Sequence, residues 1–259
     1  AARRTTRRSP GDTIFRHDAT IEPRQSGSSR GEACQTARVN SPSSSRDNTP
    51  VGHEAPPGVA EVAWTTHVSL DTDLLERLVL RHRERQRRYH RIEHVEAVLG
   101  HIDELATHES IGDLGVVVAA ALYHDAIYES QHPANERASA RLARRDLTAL
   151  GWDTSRVTIV GTMIEGTKAH ADPPDTGTAV LFDADLAILG ADDVEYRRYA
   201  SKVRDEYGHL DDAEWTAGRV SVLTAFLERQ TIYATATGRE RWEKAARTNI
   251  TAELAELTV

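Results

Sequence analysis

From about residue 61 onward, apolar side chains recur every three or four positions, which is the period of an amphipathic helix. Leu74, Leu75, Leu78 and Val79 form one stripe, with Asp71 near its start as a cap. His94, Val95, Val98, Leu99, Ile102, Leu105 and Ala106 form a second. Residues 115–128 (GVVVAAALYHDAIY) are apolar nearly all round, so this stretch is expected to be the central, buried helix. A helix over 135–150 follows, stopped by Gly151. Val157, Ile159, Val160, Met163 and Ile164 mark a shorter one that runs into a polar, Pro-Pro loop at 170–178. Further helices are predicted over 178–189, 192–207, 211–228 and 239–257, the first two ending at Gly190 and Gly208. The pattern predicts an all-α bundle of about nine helices, with no strand and no internal repeat.

Residues 1–60 break this pattern. They are rich in Ser, Arg, Thr and Pro and carry almost no apolar cluster, so they cannot bury enough surface to offset the entropy of ordering. A disordered extension is expected there, with one helical domain over 61–259. Gly27-Ser28-Ser29-Arg30-Gly31 matches a hydrolase nucleophile elbow in letters only, because no strand precedes it and no helix follows.

Charge and cysteine usage narrow the chemistry. The 259 residues carry a net charge of −8, but residues 1–50 hold nine Arg and five acidic residues, leaving 23 basic and 35 acidic side chains on the remainder. That remainder, at −12, makes a poor binder of long nucleic acids, which need a basic face. Cys34 is the single cysteine, which rules out an internal disulfide and a thiolate cage. No apolar run approaches the roughly 20 residues of a membrane helix. The expectation is a cytoplasmic protein without membrane partners.

Three groups of side chains suit metal or phosphate chemistry. His90 and His94 are four apart, which places them on one face if both are helical. The pair His124-Asp125 interrupts the most apolar stretch of the chain, where a charge is costly without a compensating partner; a divalent cation would provide one. Asp183 and Asp185 interrupt the apolar run from Val180 to Leu189. A cap or surface role accounts for one of these two aspartates more easily than for both.

The order His, then His-Asp 30 residues on, then Asp 60 beyond, resembles the HD-domain superfamily of metal-dependent phosphohydrolases. The likeness extends to Arg87-Arg88-Tyr89-His90, Ala121 through Tyr128, Asn135 through Ala140, Asp183 through Gly190, Tyr196 with Tyr199, Arg204 through Tyr207 and Ala246 through Ile250, segments similar to one bacterial branch of that superfamily. It spans about residues 65–257. By this resemblance His94, His124, Asp125 and Asp185 are the metal ligands, with Asp183 in reserve and His90 and His170 available for a second ion or for substrate. The implied reaction is attack of a metal-bound hydroxide on a small phosphomonoester or nucleotide.

Imidazole plus carboxylate ligation suits Mn, Fe, Co, Ni or Zn better than Mg. Asp125, Glu129 and Glu136 are the acid/base candidates, and Arg87, Arg88, Lys168, Lys202 and Arg204 the phosphate-binding ones. Two other readings stay open: an HD-fold metal- or nucleotide-binding regulator without turnover, and a di-iron HD oxygenase. The stretch from Gly161 to Lys168 is not a phosphate-cradling loop, because its Thr and Lys stand in the wrong order and no strand precedes it. Trp64, Trp152, Trp215 and Trp242 are scattered and read as packing anchors. Oligomeric state is not encoded in any of these features.

Overall fold

A computed structural model describes residues 58–130 and 132–258. Among them the chain forms ten α-helices and no strand: α1 Val59–His67, α2 Asp73–His82, α3 Ile92–Ala106, α4 Leu114–Tyr123, α5 Asn135–Ala149, α6 Thr154–Gly166, α7 Thr176–Leu186, α8 Asp193–Glu206, α9 Asp212–Leu227 and α10 Ala236–Leu257, with a 3-10 turn Ala187–Gly190 after α7. The all-α expectation holds. The expectation for residues 1–57 and the elbow-like letters at 27–31 lie outside the described residues.

The helix starts follow local chemistry. Asp113, Asp175, Asp192, Asp211 and Thr235 each accept a backbone N–H of the helix they precede, and Asp211 with Glu214 closes a capping box. Asp71 acts a little differently from the cap expected of it: Thr72 holds the capping position, and Asp71 Oδ1 accepts the Asp73 N–H at 3.0 Å.

α4 is buried from Gly115 to Tyr123 and packs against α1, α3, α5, α6 and α7. A helix buried on every side needs apolar residues all round, as this one has. α3 lies across α4 and α7, while α10 packs on α9 and on the 3-10 turn. α10 meets that turn at Gly190, where a Cβ would come within 2.9 Å of the Trp242 backbone. No described helix is long and apolar enough to cross a membrane.

Three expectations are corrected. α1 opens the bundle two residues before the expected boundary; its pattern is weak because only Ala60 and Trp64 are buried and Val59 and Val62 face out. α4 ends at Tyr123 rather than Tyr128. Its last carbonyls and the turn after it are taken by side chains from elsewhere, as described below. The helix expected over 178–189 starts at Thr176 and tightens into the 3-10 turn after Leu186.

Candidate metal centre

The C-terminal end of α4 falls inside the protein, where unpaired helix carbonyls need donors. His124 Nδ1 donates to Ala121 O at 2.8 Å and His82 Nε2 to Leu122 O at 3.1 Å. Beyond the helix, the Arg87 guanidinium reaches Asp125 O at 2.6 Å, Ala126 O at 3.1 Å and His90 O at 3.0 Å. Ser139 Oγ accepts the Ile127 N–H at 3.0 Å. These long-range bonds stop the helix and turn His124 and Asp125 toward α3 and α7. The negative end of the α4 dipole points at the same spot and favours a cation there.

At that spot four side chains meet. His94 Nε2, from the first turn of α3, is 3.2 Å from His124 Nε2 and 3.7 Å from Asp125 Oδ2. His124 Nε2 lies 3.0 Å from Asp125 Oδ2. Asp185 Oδ1, from the last turn of α7, is 3.0 Å from His94 Nε2 and 3.5 Å from His124 Nε2. The ligand atoms of His94, His124 and Asp125 all lie within 4.8 Å of one another, so this group could hold a metal ion. His94 and His124 are 7% and 1% exposed, which makes the cluster part of the core rather than a surface coincidence.

The donor set fits a divalent ion on chemical grounds. Because His124 Nδ1 carries the proton given to Ala121 O, its Nε2 presents a lone pair to the cluster, the second-sphere arrangement usual for ligating histidines. Burial works against ionising Asp125, but the nearby His124 and His90 hold its carboxyl well below the ordinary range. Asp185 is likewise held low, against burial, by His124, His170 and His94. Conversely, burial disfavours a charged His124, yet Asp125 and Asp185 lift it well above the usual imidazole value. Two partly buried carboxylates held in their ionised form therefore demand a positive charge, and a proton on His124 competes with a metal for that place.

A second ring of contacts orients the first. His170 Nε2 lies 2.8 Å from Asp185 Oδ2, and Arg229 fixes the His170 loop by donating to His170 O and Ala169 O, both at 2.7 Å. His170 sits at φ 45°, a strained conformation that these bonds must hold. Glu206, buried at the end of α8, accepts three backbone N–H groups on Oε1 from Arg88, Tyr89 and His90. Its Oε2 meets His90 Nδ1 at 2.6 Å and the Tyr128 hydroxyl at 3.0 Å. Burial opposes its ionisation, but the His90 contact and the backbone donors push the Glu206 carboxyl down to about 2.

A cleft of about 510 Å³ opens beside the cluster, with His94 and Asp185 in its wall. Arg88, Arg91, Arg198 and Lys202 line it together with Glu93 and Glu195. His101, Trp242, Val98 and Ile188 supply its less polar part.

The sequence-predicted residues divide accordingly. His94, His124, Asp125 and Asp185 come together. Asp183 does not join them: both its oxygens are occupied, Oδ1 by Ala234 N–H at 2.7 Å and Oδ2 by Thr235 N–H at 2.8 Å and Thr235 Oγ1 at 2.7 Å. It anchors the start of α10. His90 precedes α3 and is not on its face, because the helix begins at Ile92; Glu206 holds it instead.

Arg87 is buried and spends its donors on backbone, which removes it from the phosphate-binding set. Arg204 bonds Tyr207 O, Leu210 O and Asp212, away from the cleft. Lys168 donates to Pro133 O. Of the five basic candidates, Arg88 and Lys202 do line the cleft; Arg88 spends Nη1 on Arg85 O at 2.6 Å, which leaves its other donors for a ligand. Glu129 is exposed, Glu136 is partly buried on α5, and neither contacts the four-residue cluster. Glu206, Arg229, Arg91 and Arg198 were not singled out from sequence. Nothing local marks them except that Arg198 and Lys202 are four apart on one helix. Trp242, read as an anchor, packs on Gly190 and also lines the cleft.

Compared with protein-family models, with curated proteins and with solved structures, the chain matches none.

Proposed function

We propose that this protein is a metal-dependent phosphohydrolase acting in the cytoplasm on a small phosphate ester or nucleotide, with a divalent transition metal held by His94, His124, Asp125 and Asp185. One observation carries the reading: imidazoles and carboxylates from three separate stretches of chain converge at the inner end of α4, with His124 Nε2 turned toward the carboxylates. Their order along the chain is the one by which the sequence resembles HD-type phosphohydrolases. Mixed nitrogen and oxygen ligation favours Mn, Fe, Co, Ni or Zn over Mg. When bound, such an ion supplies Lewis-acid polarisation of a phosphoryl oxygen and a lowered pKa for coordinated water.

The chain's own groups have distinct tasks. Ala121 O fixes the tautomer of His124, and His170 orients Asp185 from its outer oxygen. Arg87 holds the backbone of Asp125 in place. Arg88 and Lys202, in the cleft wall, are the candidates to pair with phosphate oxygens. The acidic balance of the helical part favours a small ligand over long nucleic acid.

The test uses the full chain: elemental analysis of the purified protein, then phosphate release from aryl phosphates and nucleotides with added Mn²⁺ or Co²⁺. Metal content near one ion per chain, with metal and turnover both lost in Asp185→Asn, is the expected result. A metal-loaded protein inert across a broad phosphate-ester panel overturns the proposal.

A further inference from the structure

Four basic side chains, Arg88, Arg91, Arg198 and Lys202, line the cleft together with Glu93 and Glu195. α8 presents Glu195, Arg198, Tyr199 and Lys202 to it, residues spaced to share one helix face. Arg198 and Lys202 are exposed and have no ion pair or hydrogen-bond partner among the described residues. Opposite them, Arg88 and Arg91 come from the turn between α2 and α3. Arg91 Nε is buried without a hydrogen-bond partner, and the nearest acid, Glu93, is 3.7 Å away.

Two unpaired cations beside the part-exposed Arg91, whose one charged neighbour is the distant Glu93 carboxylate, in an otherwise acidic domain form the complement of an anion. The reacting phosphoryl group would sit by His94 and Asp185, which line the same cleft. A monoester with one phosphate would leave these cations facing water. The cleft volume falls within the usual range for small-molecule sites, about 300–1,000 Å³. Val98, Ile188, His101 and Trp242 provide a less polar stretch for an organic body.

We propose that the substrate is an organic molecule bearing at least two phosphate-class anions, the second held by Arg88, Arg91, Arg198 and Lys202. Nucleoside diphosphates and sugar bisphosphates share this chemistry. The proposal rests on the phosphohydrolase reading for which group reacts, but the anion subsite can be measured apart from turnover.

The probe is methylenediphosphonate, which is not hydrolysed, compared with methylphosphonate by calorimetric titration of the full-length protein as purified. The diphosphonate is expected to bind at least about tenfold more tightly, and Arg198→Ala with Lys202→Ala to weaken it about 100-fold, one charged contact being worth about tenfold. Methylphosphonate affinity should change little. Arg197→Ala is the control: its guanidinium lies on the same helix but pairs with Asp193.

Equal affinity for the two probes, or diphosphonate binding unaffected by the double variant, overturns the subsite. Absence of phosphate release from every ester, with diphosphonate binding intact, overturns only the reaction. ADP against fructose 1,6-bisphosphate in the same titration then separates nucleotide from sugar ligands: preferential binding of either supports the subsite and names its source, whereas failure of both to bind overturns it.

Discussion

Arg87→Lys separates a structural role from a phosphate-binding one. The Arg87 side chain is fully buried, and its guanidinium donates to Asp125 O, Ala126 O, His90 O and, at 3.3 Å, Glu84 Oε2. A lysine ammonium keeps the charge but concentrates it on one atom, so it cannot span the carbonyls of His90, before α3, and of Asp125 and Ala126, after α4. Losing two of the four bonds, at about 1.5–3 kcal/mol each for a charged donor, costs about 3–6 kcal/mol. For a domain of this size 1 kcal/mol corresponds to about 2–4 °C, so the melting temperature should fall by about 6–24 °C. The Asp125 backbone is also released, and metal affinity should drop with stability. Urea unfolding, thermal melting and metal titration check these outcomes, and the Michaelis constant for a phosphate ester should hold steady at saturating metal. A variant as stable as wild type but with a raised Michaelis constant would falsify the account and return Arg87 to the phosphate-binding set.

Three further outcomes are expected. Asp183→Asn should lower stability by about 1–3 kcal/mol by weakening the anchor of α10, yet leave metal content unchanged. Equal metal loss in Asp183→Asn and Asp185→Asn would refute that division of labour. His82 is buried as the neutral imidazole, with burial pushing its pKa down from 6.5 to about 3. The unfolded chain therefore binds a proton that the folded one refuses, so stability falls as pH drops below 6.5 toward 3, by up to about 1.4 kcal/mol per pH unit. His82→Gln should flatten that slope between pH 6.5 and 4.5 in urea titrations, and an unchanged slope would remove His82 from the explanation. Arg229→Ala touches no ligand but frees the loop that sets His170 against Asp185, so metal affinity should fall about tenfold or more with little change in helix content. Metal binding as tight as wild type would show that the loop needs no such clamp.

The helical class was legible because periodicity and capping are local properties. α4 announces itself by having no polar face, and the aspartates at the starts of α7, α8 and α9 sit beside the helices they cap. His124-Asp125 was legible for a related reason: ionisable groups in so apolar a stretch need a partner. α1 was missed because it buries only Ala60 and Trp64 and borders the Ser- and Pro-rich segment. Asp183 and Asp185 could not be told apart from periodicity. They stand on different faces of α7, and α7 is buried on nearly all sides, so the pattern gives no inward direction.

By itself, then, the sequence determined that this is a helical bundle with a His-Asp pair in its most apolar stretch and a short list of partners. Tertiary structure alone decided where α4 stops, which aspartate reaches the histidines and which cations face the cleft. Those outcomes rest on hydrogen bonds between residues distant in the chain: Arg87 to Asp125 across 38 positions, Arg229 to His170 across 59 and Glu206 to His90 across 116. A hydrophobic period reports which face of a helix is buried. It carries no information about which remote donor will satisfy a buried carbonyl, and in this protein those donors position the site.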